Sequence, residues 1–336
     1  MKTAVIGSGG WGTALALVLV GNGHDVTLWC RRADKCEELR RTRENPLLKG
    51  VPLPEALKLT DDLAAAEGCG VVVLATPSFA LRETARRLAP HLTPGTVLVS
   101  VSKGIEKDTC LLLHQVVEQE VGDKCPVVVL SGPSHAEEVG RGVLTAVVVA
   151  SEDRTAAELV QDIFMNERLR IYTSPDIVGV EIGAAMKNVI AICAGYCAGA
   201  GYGDNTRAML MTRGLTEVAR LGVAMGGRKE TFAGLAGVGD LIVTCTSMHS
   251  RNCRAGMLIG QGVPAAEAVT GMNGAVVEGY YAAASARALA EKAGVEMPIT
   301  QAIYEVLYEG RDPRTVPAQL MNRDRKNELE LENSWI

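Results

Sequence analysis

The chain has 336 residues, a formal net charge of −5, 47% hydrophobic residues and 22% charged residues. This length predicts about two domains with a substantial core, and the acidic balance gives no support for a nucleic-acid-binding protein. The nine cysteines are scattered without a CxxC pair, which favours reduced thiols over a zinc site or a disulfide framework. We predict no metal. The N-terminus has no signal-peptide pattern, so we expect a cytoplasmic protein.

A glycine-rich loop follows the first predicted strand. Residues 2–6 form a short apolar run, which leads into GSGGWG at 7–12 and then into a helical pattern over 13–20. In such a loop the first glycine permits a tight turn, the second lets a pyrophosphate approach the backbone, and the third packs helix against strand. The helix N-terminus favours the phosphate charge. The pattern predicts dinucleotide binding, with candidate contacts at Gly7, Gly9, Gly10, Trp11 and Gly12.

The second predicted strand, 25–30, ends in two arginines, Arg31 and Arg32. A site selective for NAD usually has an Asp or Glu here, which accepts hydrogen bonds from the ribose hydroxyls. Two arginines instead suit a 2′-phosphate and stacking on adenine. We therefore expect NADP(H) to be preferred, with NAD(H) also possible; the alternative is a solvated basic start to the next helix.

Further strand-like runs follow at 70–75, 96–101, 127–130, 142–150 and 170–173, after an irregular connection at 45–54. Each of the first three runs is followed directly by a polar loop, at 76–78, 102–106 and 131–136. Ligands bind beyond the carboxyl ends of strands in an open parallel sheet, so we expect these loops to face one crevice. Lys103 lies on such a loop, although an isolated lysine is more often a surface charge. We expect His135 to start a helix and not to act as a catalytic base.

Strand patterns nearly vanish after residue 179, and helical patterns dominate. We predict an α/β domain over 1–178, with a Rossmann-like doubly wound sheet, followed by a mainly helical domain over 179–336. The long apolar helix that opens the second domain carries Lys187 as its one charged residue between Glu181 and Asp204. This lysine and several glycines argue against a membrane span.

Lys187 is the candidate catalytic residue. A lysine is rarely fully buried without a partner, and loss of hydration lowers its pKa toward the range useful for proton transfer. Taken alone, such a lysine more often reaches solvent or forms a structural pair.

Two polar features stand out later in the helical domain. The glycine-rich run 234–246 is expected to form a tight loop that places Asp240 beside a cation. The triplet Ser250, Arg251 and Asn252 combines a hydroxyl, a fork of donors and an amide, which suits a phosphate. Taken singly, Asp240 could cap a helix and Arg251 could be a surface residue.

The motifs together resemble one known family over nearly the whole chain. After the glycine loop come SVSKGIE (100–106), LSGPSHAEEV (130–139), GVEIGAAMKNVIAICAG (179–195), GDN (203–205), AGVGDLIVTCTS (236–247), SRN (250–252) and VEGY (277–280). In this order and spacing they resemble the bacterial NAD(P)-dependent glycerol-3-phosphate dehydrogenases. The resemblance implies reversible reduction of dihydroxyacetone phosphate to sn-glycerol 3-phosphate, the backbone precursor of glycerophospholipids.

The resemblance also implies roles for individual residues. Lys187 matches the general acid/base at the C2 oxygen. From its charge we add Asp240 as a catalytic residue that would stabilise the protonated lysine. Substrate contacts are implied for Lys103, Gly132, Ser134, Lys187, Asp240, Ser250, Arg251 and Asn252. Contacts to the nicotinamide cofactor are implied for Gly10, Trp11, Arg31, Lys103, Ala136, Arg251, Val276 and Glu278, and we add Arg32.

Two positions depart from the family pattern, and two other functions remain open. Gly10 stands where many relatives have serine, and His135 where phenylalanine is frequent.

The β-hydroxyacid dehydrogenases share the domain plan and a catalytic lysine, but their lysine and asparagine lie four residues apart, whereas Lys187 and Asn188 are adjacent. A non-catalytic NADP sensor would need only the nucleotide loop. We expect a homodimer, although no sequence feature demonstrates one.

Overall fold

Residues 2–174 build one sheet with helices on its faces. The computed structural model describes residues 1–271, 276–325 and 327–328, and its sheet has eight strands in the order β3-β2-β1-β4-β5-β6-β7-β8. The strands are β1 (Lys2–Ile6), β2 (Asp25–Trp29), β3 (Lys58–Thr60), β4 (Val71–Leu74), β5 (Val97–Ser100), β6 (Val127–Ser131), β7 (Thr145–Ala150) and β8 (Leu169–Ser174). The helices are α1 (Gly10–Gly21), α2 (Ala33–Thr42), α3 (Leu81–Leu88), α4 (Leu113–Val121), α5 (Ala136–Gly140) and α6 (Arg154–Phe164).

The central strands β4, β5 and β6 are buried at every residue. Helices cover both faces of these strands, which explains why their sequences are continuous apolar runs without alternation. The predicted Rossmann-like fold class is confirmed. The three-residue strand β3 was not predicted, because so short a segment has no readable period.

One pair of strands departs from the parallel arrangement. β6 and β7 are antiparallel, whereas the other neighbouring pairs are parallel. The helix between them, α5, has five residues, so it spans only about 7.5 Å at 1.5 Å per residue. That is too short to run back along a strand of about 17 Å, and the chain re-enters the sheet in the opposite direction.

After Ser174, the part of the chain that the structure describes consists of helices and their connections, without a strand. Its helices are α7 (Ile177–Gly199), α8 (Asp204–Ala224), α9 (Lys229–Phe232), α10 (Asp240–Thr246), α11 (Arg251–Gly260), α12 (Ala265–Thr270), α13 (Glu278–Ala293), α14 (Pro298–Tyr308) and α15 (Val316–Met321). α7 lies at the centre and contacts α8, α10, α11, α13 and α14. It is long and apolar enough to cross a membrane, but 89% of its apolar window is buried inside the protein.

Helix α7 also packs against the sheet. Ile177 and Val180 in its first turn form an apolar cluster with Val129 of β6 and Ala150 of β7. One turn later, the carboxylate of Glu181 accepts hydrogen bonds from the backbone N–H of His114 on α4 at 3.0 Å and contacts its ring nitrogen Nδ1 at 2.6 Å. The predicted domain boundary after residue 178 therefore lies within the first turn of α7.

The closest helix contact joins α7 to α11. A Cβ atom added at Gly195 would lie 1.9 Å from the carbonyl oxygen of Cys253, and one added at Gly256 would lie 1.9 Å from that of Ile192. Only glycine permits this distance between backbones. The same contact places the first turn of α11 beside the segment of α7 that carries Lys187.

Replacing Gly195 with alanine is expected to destabilise the protein by at least about 1–3 kcal/mol, because the added methyl group forces the two backbones apart. Gly21→Ala is the matched control, since an added Cβ there meets nothing within 4 Å, and it should be neutral or stabilising by up to about 1 kcal/mol. Thermal unfolding of both variants measures the difference. Equal melting temperatures would contradict the close helix contact.

Two predicted elements of the helical domain were wrong in detail. The run 234–246, expected to form a tight loop, is a π-helical turn, Leu235–Gly239, that continues into α10. A Cβ added at Gly237 of this turn would lie 2.1 Å from the carbonyl oxygen of Phe232, and one added at Gly183 of α7 would lie 2.5 Å from that of Ala236, so the turn is packed closely on both sides. The pattern of residues 255–261 predicts a helix, and the observed helix α11 begins earlier, at Arg251, with Ser250 as its N-cap. Residues 322–330 are dense in charge, which predicts a solvated tail or a final helix, and they fall partly outside the described residues.

Candidate active site

The glycine loop has the geometry that a dinucleotide requires. Gly7 has φ +130°, and a Cβ there would lie 2.5 Å from the carbonyl oxygen of Ala75; a Cβ at Gly12 would lie 2.0 Å from that of Gly7. The space beside Gly9, the N-cap of α1, is open, and no side chain caps this helix. Its first N–H groups are therefore available to a phosphate. The buried indole nitrogen Nε1 of Trp11 has no hydrogen-bond partner, so these residues fit the cofactor.

Two side chains fix the glycine loop from outside it. The buried amide of Asn45 donates to the carbonyl oxygen of Ser8 at 3.2 Å and to Oγ1 of Thr13 at 2.7 Å. The ammonium group of Lys35 on α2 donates to the same Ser8 oxygen at 2.9 Å. Neither Asn45 nor Lys35 was singled out in the sequence, because contacts across 37 and 27 residues leave no local pattern.

The other predicted cofactor residues lie around this loop and across the crevice. Arg31 and Arg32 are exposed after β2, and Nε of Arg32 is 3.4 Å from Oδ1 of Asp34. Ala136 opens α5, and a Cβ at Gly10 would lie 3.6 Å from its side chain and 2.9 Å from the carbonyl oxygen of Leu47. A serine at position 10 would therefore crowd that carbonyl. Val276 is partly buried ahead of α13.

A buried cluster of charges joins three elements. The ammonium group of Lys187 forms an ion pair with Oδ1 of Asp240 and donates to Oγ1 of Thr244 at 2.9 Å. The ammonium group of Lys103, on the loop after β5, binds Oδ2 of Asp240 at 2.7 Å and the carbonyl oxygen of Gly132 at 3.1 Å. Lys187 is 7% exposed and Asp240 1%. One carboxylate thus lies between two lysines.

This arrangement shifts the ionisation of both catalytic candidates. Burial lowers the pKa of Lys187 to about 7, against the opposing attraction of Asp240, and the charge of Lys103 lowers it further. Burial alone would raise the pKa of Asp240, but the charges of Lys103 and Lys187 outweigh that effect and hold it below its usual value. At neutral pH, Lys187 can therefore both donate and accept a proton.

The first turn of α11 forms a candidate anion site beside this cluster. Oγ of Ser250 accepts a hydrogen bond from the backbone N–H of Cys253 at 3.2 Å, while Arg251 is exposed. The side chain of Asn252 donates to Oδ1 of Asn188 at 2.9 Å and accepts from the backbone N–H of Gly279 at 2.8 Å. Asn188 follows Lys187 directly, so the anion site is fixed relative to the lysine.

The walls of the crevice meet at Glu278. Oγ of Ser78, on the loop after β4, donates to its carboxylate at 2.8 Å. Burial raises the pKa of Glu278, an effect that Ser78 and Arg251 partly oppose. Across the crevice, Oγ of Ser134 donates to the carbonyl oxygen of Gly132 at 2.9 Å. Oγ of Ser102 donates to the carbonyl oxygen of Thr76 at 2.5 Å, and Lys103 binds that of Gly132, so the three polar loops lie side by side.

Sequence reasoning missed two residues of the cluster. Thr244 lies four residues after Asp240 on α10, so both side chains are on one face of the helix, and this spacing could have identified it. Asn188 could have been identified only through its contact with Asn252, 64 residues away. His135, at the N-cap of α5, has its ring centroid 5.6 Å from that of His249.

Comparison with known proteins gives consistent matches over the chain. Residues 2–157 match the model of the NAD-dependent glycerol-3-phosphate dehydrogenase N-terminus, and residues 176–318 match that of the C-terminus. A glycerol-3-phosphate dehydrogenase [NAD(P)+] of Moorella thermoacetica is 55% identical over 97% of both chains, and one of Fusobacterium nucleatum is 48% identical over 100% of both. The crystal structure of glycerol-3-phosphate dehydrogenase from Coxiella burnetii superposes with a TM-score of 0.91, at 40% identity over 96% of this chain and 98% of that one.

Proposed function

The chain belongs to the NAD-dependent glycerol-3-phosphate dehydrogenase family, and from that premise we propose how its own residues carry out the reaction. The protein is an NAD(P)-dependent glycerol-3-phosphate dehydrogenase, which reversibly reduces dihydroxyacetone phosphate to sn-glycerol 3-phosphate. The observation that carries our assignment is the buried ion pair between Lys187 and Asp240.

Lys187 acts as the general acid and base. The reduced nicotinamide, when bound, supplies the hydride that adds to C2 of the ketone. The protonated amine of Lys187 gives its proton to the C2 oxygen as that oxygen gains charge, and the amine becomes neutral. In the oxidation of glycerol 3-phosphate, the neutral amine removes the hydroxyl proton. A pKa of about 7 supports both directions.

Asp240, Thr244 and Lys103 control the position and charge of that amine. Asp240 favours the protonated form of Lys187, which burial disfavours. Thr244 accepts a second hydrogen bond from Lys187 and thereby restricts its rotation. Lys103 shares the carboxylate, which limits how far Asp240 can raise the pKa of Lys187. Lys103 also lies beside Gly132 and Ser134, where we place the substrate hydroxyl and carbonyl groups.

Ser250, Arg251 and Asn252 bind the substrate phosphate at the N-terminus of α11. Ser250 caps the N–H of Cys253, the N–H groups of Arg251 and Asn252 precede the first hydrogen bond of this ten-residue helix, and the helix dipole favours a negative charge there. Arg251 supplies a mobile guanidinium group that can bind two phosphate oxygens. Binding energy from the phosphate, which does not react, serves to align C2 with the hydride donor.

The cofactor binds across the crevice. When bound, its pyrophosphate would be held by the glycine loop of Gly7, Gly9, Gly10, Trp11 and Gly12, and other parts of the cofactor would contact Lys103, Ala136, Arg251, Val276 and Glu278. Arg31 and Arg32 follow β2, where an NAD-selective protein usually carries an acidic residue. Their positive charges suit a 2′-phosphate, and we infer a preference for NADPH over NADH.

Replacing Arg251 with methionine is expected to lower kcat/KM for dihydroxyacetone phosphate about 10- to 100-fold, because a charged hydrogen bond to the phosphate is lost. Arg254→Met, one turn later on the exposed face of α11, changes the net charge equally and should have little effect. Oxidation of NADPH and NADH at 340 nm, with unphosphorylated dihydroxyacetone as a second substrate, measures both specificities. Equal rates with both ketones would overturn the phosphate site. Faster turnover with NADH than with NADPH would overturn the proposed cofactor preference.

The assembly and location of the protein belong to the same proposal. We propose a cytoplasmic homodimer whose ligands are small molecules. Sedimentation equilibrium of the purified protein tests the dimer, and a monomeric mass at micromolar concentration would reject it.

A further inference from the structure

The ammonium group of Lys35 is a cation held against the glycine loop by a hydrogen bond. It lies in the first turn of α2, and its ammonium group donates to the carbonyl oxygen of Ser8 at 2.9 Å. The side chain is partly buried, whereas Arg31 and Arg32 are exposed, and Arg32 lies within 3.4 Å of a carboxylate oxygen of Asp34. Of these three cations, only Lys35 is held against the loop.

The position of this ammonium group can be related to the place that a dinucleotide would take on the sheet. In Rossmann-like sheets the adenosine ribose lies between the glycine loop after the first strand and the residues that follow the second strand. Lys35 connects these two segments, because its helix begins directly after β2 and its amine reaches Ser8. The ribose 2′ position of a bound dinucleotide would therefore lie within the region that Lys35 spans.

On this basis, and resting on the NADPH preference proposed above, we propose that Lys35 is a specificity-determining residue that binds the 2′-phosphate of NADP(H). An ammonium group has three N–H donors, and the Ser8 carbonyl uses one of them. The remaining donors are available to a phosphate. Arg31 and Arg32 then add mobile positive charge around a phosphate that Lys35 has already located.

The electrostatic environment agrees with this assignment. Burial lowers the pKa of Lys35, with Arg32 adding to the effect, while Cys30 and Glu38 oppose it. A partly desolvated cation binds an anion more strongly than a fully hydrated one. An arriving phosphate would therefore restore the favourable interactions that burial has removed from the amine.

The alternative role for Lys35 is to brace the glycine loop alone, and Lys35→Gln separates the two roles. Glutamine can still donate to the Ser8 carbonyl but carries no charge. We expect binding of 2′,5′-ADP, measured by isothermal titration calorimetry, to weaken about 10- to 100-fold. Binding of NADPH, followed by its fluorescence, should weaken equally, while binding of NADH should stay within about twofold. Arg41→Gln, an exposed substitution on the same helix, is the charge-matched control and should change none of the three.

Each other outcome has a defined meaning. Equal weakening of NADPH and NADH would reduce Lys35 to a brace and overturn the inference, as would unchanged binding of 2′,5′-ADP. If the unmodified protein itself binds 2′,5′-ADP no better than 5′-AMP, the preference for NADPH fails first, and the role of Lys35 fails with it. Lys35→Met provides a second uncharged variant should the glutamine variant not fold, and NADH binding reports folding in each case.

Discussion

Lys187→Met should lower kcat for dihydroxyacetone phosphate reduction by about 10²- to 10⁴-fold, the usual contribution of a positioned general acid. Methionine has a similar length and fits an apolar helix, but it cannot carry a proton. The fold should survive the change, because Asp240 keeps its ion pair with Lys103. Steady-state rates in both directions measure the effect, since the same group acts as acid in one direction and as base in the other.

Binding measurements show whether the loss of kcat arises in the chemical step or from weaker binding of the cofactor. NADPH should bind Lys187→Met as it binds the unmodified protein, because Lys187 is not among the residues placed around the cofactor. Lys107→Met, which removes an exposed lysine from the loop after β5, should leave the rates unchanged. A Lys187→Met variant that turns over at a near-normal rate would remove the lysine from the mechanism.

Asp240→Asn is expected to have the largest effect on stability. The substitution leaves the ammonium groups of Lys187 and Lys103 close together without the carboxylate that separates them. Removing one partner from a buried ion pair typically costs about 3–5 kcal/mol. Chemical unfolding of Asp240→Asn should therefore show a clear loss of stability, whereas Asp162→Asn, an exposed substitution on α6, should change it by less than about 0.5 kcal/mol.

Asp240→Asn should also shift the pH dependence of the reaction rate, in a direction that follows from the charge of Asp240. In the proposed mechanism reduction needs protonated Lys187, so kcat/KM of the unmodified enzyme should fall as pH rises through the pKa of about 7 in the free protein. Asp240 raises that pKa by attraction, so its neutralisation should lower the pKa and move the decline in kcat/KM to more acidic pH. Oxidation needs the neutral amine, and its profile should shift in the same direction. A shift of the profile to alkaline pH would contradict the assigned pair.

Local patterns in the sequence were enough to predict much of this architecture. The glycine loop was predicted because its residue types follow from backbone geometry at neighbouring positions, as at Gly7 and Gly12. The burial of the helix that carries Lys187 was predicted because apolar residues lie on all its faces, whereas the burial of the lysine itself was left open beside an exposed or structurally paired lysine. Its pairing with Asp240 was proposed only from residue chemistry, since 53 residues separate the two.

The remaining features depend on tertiary packing. The direction of β7 follows from the shortness of α5, and the π-helical turn before Asp240 follows from its close contact with α7. Asn45 and Lys35 reach the glycine loop from separate segments, and no period in the sequence relates them to it. The roles given to the individual site residues stay predictions, which the substitutions above can test.

The way that α7 begins on the sheet limits how this protein can be divided. A fragment that ends before Ile177 would expose Val129 and Ala150, and would leave His114 without the carboxylate of Glu181. The nucleotide-binding half is therefore not an interchangeable module, since the helix that bears Lys187 also completes its core. Exchange of this half between relatives should succeed only when the first turns of α7 are exchanged with it.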